Sequence, residues 1–104
     1  MCIRDRLQGS EVTLVSANIA GVSVIAGQVL HVRLQCQGAS PTTLRAKVWN
    51  DGAAEPGWQV TTTDSQAELQ DAGGVGVVTY LAGSATTGAA VVSFDNLSAG
   101  PIAP

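Results

Sequence analysis

A chain of 104 residues has room for one domain and excludes a second complete one. Five basic residues against eight acidic ones, a formal net charge of −3, leave no electrostatic footprint for a phosphate backbone and exclude nucleic acid as a partner. Charged residues make up 12% of the chain, about half the usual ~25%, while Gly, Ala, Ser, Thr and Val crowd it, a mix suited to short strands joined by small-residue turns.

Residues 1–6 (MCIRDR) hold two of the five basic residues and one of the two cysteines. They resemble the translation of a transposon-derived adapter used in preparing DNA sequencing libraries. That resemblance implies that native coding sequence begins at Leu7 and that strands upstream of it are missing. The alternative is a native start followed by an irregular leader. With the leader set aside as a processing scar, three basic and seven acidic residues remain, and Cys36 is the one cysteine, so there is no disulfide framework. The leader lacks the charged, apolar and small-residue regions of a signal peptide.

Downstream, residues 11–17 (EVTLVSA) are rich in β-branched side chains, and residues 22–25 are bracketed by Ala20-Gly21 and Ala26-Gly27; two short strands are expected. The apolar-leaning stretch 12–32 is interrupted by Thr13, Ser16, Asn18, Ser23, Gly27, Gln28 and His31. It is too polar for the ~20 apolar residues of a bilayer span, so no membrane insertion is expected.

The clearest strand is 28–36 (QVLHVRLQC), where Leu30, Val32, Leu34 and Cys36 alternate with His31, Arg33 and Gln35, the period-2 pattern of a half-buried strand. After a break at 37–41, residues 42–49 resume with Leu44, Ala46 and Val48 against Arg45, Lys47 and Trp49, predicting an antiparallel hairpin. Asn50-Asp51-Gly52 and Pro56-Gly57 bound a loop, and residues 58–63 (WQVTTT) predict another antiparallel neighbour. Trp58 shares the side of Val60 there and is expected to be buried.

Ser65 and Glu68 have the spacing of a capping box, predicting one helical turn over residues 66–70. Residues 75–81 and 90–97 read as further strands, and 99–104 as linker. The expected organisation is therefore leader 1–6, a partial domain 7–98 and a linker 99–104. Six or seven short strands with regular turns predict an all-β, antiparallel sandwich or barrel.

The words Ala26-Gly27-Gln28 through Val32-Arg33, Thr43 through Trp49, Ala54-Glu55-Pro56, Trp58, Thr63-Asp64-Ser65, Leu69-Gln70, Gly74-Val75-Gly76 and Phe94-Asp95 come in an ordered set. Together they resemble the C-terminal part of a laminin-G-like or concanavalin A-like jelly roll of actinobacterial secreted proteins. The resemblance spans most of residues 7–97. It implies a two-sheet sandwich incomplete at its N-terminus and a secreted or cell-surface location. The implied role is carbohydrate binding or adhesion beside other domains of a larger parent chain.

Alternation puts His31, Arg33, Arg45, Lys47 and Trp49 on one side of two adjacent strands, and all three basic residues after the leader are among them. Trp49, Arg33, Arg45 and Lys47 are the candidate ligand-binding residues, because an indole face stacks on sugar rings while guanidinium and ammonium donate to hydroxyls or carboxylates. The alternative is a solvated face that keeps the sheet soluble.

No cofactor is expected. Calcium needs six to eight oxygen ligands, and the available donors Asp51, Glu55, Asp64, Asp71, Asp95 and Asn96 form no dense D-x-D-x-D-G loop. Catalytic chemistry is not expected either. Glycoside hydrolysis needs two carboxyl groups about 5–10 Å apart, and Glu55 and Glu68 have no acidic partner at alternate spacing. His31 is the only histidine, no G-x-S-x-G occurs, and Cys36 falls on the apolar side of its strand and is expected to be a buried small hydrophobe. A glycan-binding or adhesion module ranks first, a structural spacer second and a severed piece of a polysaccharide-degrading enzyme third.

Overall fold

The computed structural model describes residues 1–79 and 91–102, and it divides into two compact units, Met1–Ala72 and Gly73–Pro104. Five strands form in the first unit: β1 (Cys2–Leu7), β2 (Ser10–Ser16), β3 (Leu30–Gln37), β4 (Thr42–Asn50) and β5 (Val60–Asp64). They make two antiparallel sheets, the hairpin β1-β2 and the three-stranded β3-β4-β5. One 3-10 turn, Ala67–Leu69, follows. The described chain is therefore all-β.

Residues 2–7 belong to the fold as a strand, whatever their source. Their alternation turns Ile3 inward while Arg4 and Arg6 turn outward, where both donate to the Glu11 carboxylate across the hairpin. A two-residue turn closes that hairpin, with Gln8 at φ 51° and Gly9 at φ 83°. Positive φ at both central positions is the geometry that matches the right-handed twist of the flanking strands, and at Gly9 it carries no Cβ penalty. Beyond the strand ends, the Met1 ammonium donates to the Ala17 carbonyl and the Ala17 N–H to the Met1 carbonyl.

Ile3 is 5% exposed and meets Ala46 of β4 and Val60 of β5, each 4% exposed. Met1, Leu14, Val15, Ala17, Ile19 and Leu44 pack around that trio. This contact is what joins the two sheets, and it covers the apolar side of β4 and β5. It does not reach β3, where Val32 is 56% and Leu34 41% exposed and Cys36 is also exposed. The expectation that Cys36 is buried is thus corrected. Strands in a sheet lie about 4.8 Å apart, so a two-stranded hairpin seated over β4 and β5 leaves the third strand uncovered.

Residues 22–25 form no strand. Instead the Asn50 side chain holds this segment, accepting from the Ser23 N–H at 2.9 Å and donating to the Ser23 carbonyl at 2.9 Å, so a side-chain amide takes the place of a ladder partner. In the second unit, residues 75–79 and 91–97 are irregular and expose Val75, Val77, Val78, Val91, Val92, Phe94 and Leu97. The two strands expected there are corrected as far as they fall on described residues; 80, 81 and 90 lie outside them. A period-2 pattern selects a strand only where a partner strand supplies the hydrogen bonds.

The expected capping box does not form. The Asp64 carboxylate accepts the Gln66 N–H at 3.0 Å, and no side-chain cap bond is made at the start of the 3-10 turn. A charged acceptor two residues back closes an Asx-type turn and leaves Ser65 out of it. Gln70 then ties this end of the unit to the β3–β4 connection: its side-chain oxygen Oε1 accepts from the Ser40 N–H and the Thr42 hydroxyl, and its side-chain Nε2 donates to the Asp64 carbonyl.

Asp5, half-buried on β1, has its pKa raised, first by loss of water and then by the Asp64 carboxylate facing it from β5. A carboxyl whose folded pKa is raised binds its proton more readily folded than unfolded. The ionised form therefore costs stability above the folded pKa, and that cost is relieved as the pH falls through it. Asp5→Asn is expected to raise the thermal midpoint at neutral pH and to leave it nearly unchanged near about pH 3, where Asp5 is protonated in both states. Thermal unfolding followed by circular dichroism at the two pH values checks this.

Candidate functional site

The β3–β4 register sets His31 opposite Trp49, Arg33 opposite Lys47 and Gln35 opposite Arg45, and Arg45 faces Thr61 on β5. Directly opposed residues point to the same face of a sheet. The register thus brings the four candidate residues, Arg33, Arg45, Lys47 and Trp49, onto one face with His31. This is the side turned away from the Ile3–Ala46–Val60 contact.

The loop between β4 and β5 folds back over that face. Lys47 lies beneath it, its side chain only 10% exposed, with Nζ 2.8 Å from the Glu55 carboxylate and donating at 2.9 Å to the Pro56 carbonyl. The Trp58 ring stands 4.6 Å from the same Nζ and the Trp49 ring 5.9 Å from it. A desolvated ammonium is held in place by such a set of oxygen and aromatic partners. Lys47 is accordingly the least accessible of the four.

Arg33 reaches the same carboxylate, its Nη1 donating to Glu55 Oε2 at 2.9 Å. The hydrogen bond from Lys47 is the first cause, with the nearby Arg33 charge behind it, that holds the Glu55 carboxyl below its ordinary value. Further along, the His31 ring stacks on Trp49 with centroids 5.3 Å apart and planes 24° apart, and His31 Nε2 lies 2.9 Å from Asp51 Oδ1. Arg45 makes none of the ion pairs found among the described residues.

Trp58 departs from its expected place. Val60 goes to the core, but the Trp58 ring lies over Lys47 on the opposite face and is half-buried. Gln59 explains the break. Its N–H donates to the Ala46 carbonyl, and its side-chain amide then accepts from the Val48 N–H at 2.8 Å and donates to the Val48 carbonyl at 3.1 Å. A primary amide thus supplies the rung that backbone would otherwise provide, and the main chain at Trp58 is released from strand alternation.

No protein-family model, curated protein or solved structure matches this chain. The chemistry of the face must therefore be taken from its own residues. Among the described residues no three His, Cys, Asp or Glu side chains are grouped to hold a metal ion, and no helix is long and apolar enough to cross a membrane. Although Cys36 is exposed, partial loss of water around its sulfur raises its pKa, which lowers its thiolate fraction.

Glu55 is the residue that alternation could not place in this site. As a loop acid it has no strand period, and its partners are two cations instead of a second carboxylate. One signal was present: Pro56 biases the preceding residue toward extended backbone, in a loop between two strands of which one carries Arg45 and Lys47. What the face offers is a guanidinium with donors to spare, a half-buried second arginine, two indole rings beside the Lys47 ammonium and a carboxylate that both Arg33 and Lys47 already hold.

Proposed function

We propose that the chain is a non-catalytic carbohydrate-binding or adhesion module of a larger secreted or surface protein, built on a jelly-roll sandwich of the laminin-G-like or concanavalin A-like type. The observation that carries the reading is the placement of Trp49 on the same sheet face as Arg33 and Arg45. Indole stacks against the apolar face of a sugar ring, and flanking guanidinium groups donate to its hydroxyls. The ligand is a polysaccharide or cell-surface glycan, and other domains of the parent chain are the remaining partners.

A structural spacer is the second reading, favoured by Lys47, whose ammonium is fully engaged by its own loop. Titrating the chain with soluble oligosaccharides while following the two indole N–H resonances separates the two. Glycan binding predicts a saturable shift of the Trp49 signal larger than that of Trp58. A spacer predicts that neither signal moves for any oligosaccharide.

A further inference from the structure

Glu55 is held in an unusual way for an exposed loop acid: a single oxygen, Oε2, receives both Arg33 Nη1 at 2.9 Å and Lys47 Nζ at 2.8 Å. The two cations come from opposed positions on adjacent strands, so their spacing is fixed by the sheet and does not depend on the loop. Trp58 and Trp49 flank Lys47. Apart from the leader, every basic residue of the chain lies on this face. The β-sheet therefore presents a pre-set, two-cation cradle with an aromatic rim, and the loop fills it with a carboxylate.

We infer that the Glu55 carboxylate is a built-in stand-in for the acid group of the ligand, and that the glycan bound here is one bearing carboxylates, as a uronate polymer does. This rests on the glycan-binding reading above. Exchange is physically easy on the Arg33 side of this carboxylate, which is open to solvent, whereas the Lys47 side chain is only 10% exposed. The Arg33 and Glu55 side chains are 57% and 37% exposed, and ion pairs this exposed contribute little and are screened by salt. A departing Glu55 is rehydrated on its loop, while Lys47 keeps the Pro56 carbonyl and the Trp58 ring. The incoming carboxylate recovers the same two charge-assisted hydrogen bonds. Arg45, with no ion-pair partner among the described residues, is placed to take the next acid group along the polymer.

The test is calorimetric titration of the full chain, of Glu55→Gln and of Arg33→Gln with an oligogalacturonate and with its methyl ester, which has the same backbone without charge. The expected result is that the wild-type chain binds the acid form in preference to the ester. Glu55→Gln should bind the acid form several-fold more tightly because its internal competitor is gone, and Arg33→Gln should lose that binding. Both replaced side chains are exposed, and circular dichroism confirms that each variant is folded. Equal binding of acid and ester, or an unchanged affinity in Glu55→Gln, overturns the carboxylate inference and leaves glycan binding standing. Retention on neutral polysaccharides with no response to either oligomer does the same. Failure to bind any glycan overturns both.

Discussion

Truncation of Ile3 to alanine should destabilise the first unit by about 2–5 kcal/mol, the usual cost of emptying a buried aliphatic site. A unit of its length, Met1–Ala72, has a total stability of about 4–11 kcal/mol at the common value per residue. The expected loss is a large share of that. The reason is the size of the core: Ile3 is one of three buried residues in the contact that joins the hairpin to the three-stranded sheet. Nothing on Ala46 can grow to fill the void, and Val60 is fixed by its pairing with Ala46. Urea unfolding followed by circular dichroism should show a lower midpoint with an unchanged slope. An unchanged midpoint would mean that β1 is not docked and that the core lies elsewhere.

Replacement of Trp49 by alanine should remove most of the glycan affinity while costing little stability. Aromatic anchors at binding surfaces commonly contribute about 2 kcal/mol or more, roughly a thirtyfold change in affinity. The side chain is half-buried, its stacking partner His31 is itself exposed, and the Lys47 ammonium is closer to Trp58 than to Trp49. Losing the ring leaves the Lys47–Glu55–Pro56 contacts in place, so the cradle persists without its stacking platform. The two effects, one on binding and one on folding, can therefore be separated in a single variant.

How much of this was legible in the sequence depends on what each signal encodes. The β3–β4 hairpin could be read because its alternation is unbroken, and the observed register pairs the residues that the pattern had put on one side. The same pattern says which side of a strand is apolar but not whether anything covers it, which is why Cys36, Val32 and Leu34 are exposed. The resemblance of residues 1–6 to a translated adapter concerns their source and not their conformation, and the alternation of Ile3 with Arg4 and Arg6 is the sequence signal for the strand they form. Trp58 was misplaced because a Gln59 side chain substitutes for backbone in the ladder, an event with no periodic signature. Glu55 joined the site through loop geometry, and loop geometry is set by many weak contacts that no single residue announces.

The central claim is that the Arg33–Arg45–Lys47–Trp49 face takes a glycan, and it is tested most directly by co-sedimenting the full chain and its Trp49→Ala variant with a panel of insoluble polysaccharides. Matched unfolding curves for the two proteins would establish that both are folded. Retention of the wild-type chain on at least one acidic polysaccharide, with the variant left in the supernatant, is the predicted result. Equal retention of the two would contradict the assignment of the site, and no retention of either on any polysaccharide would contradict the function.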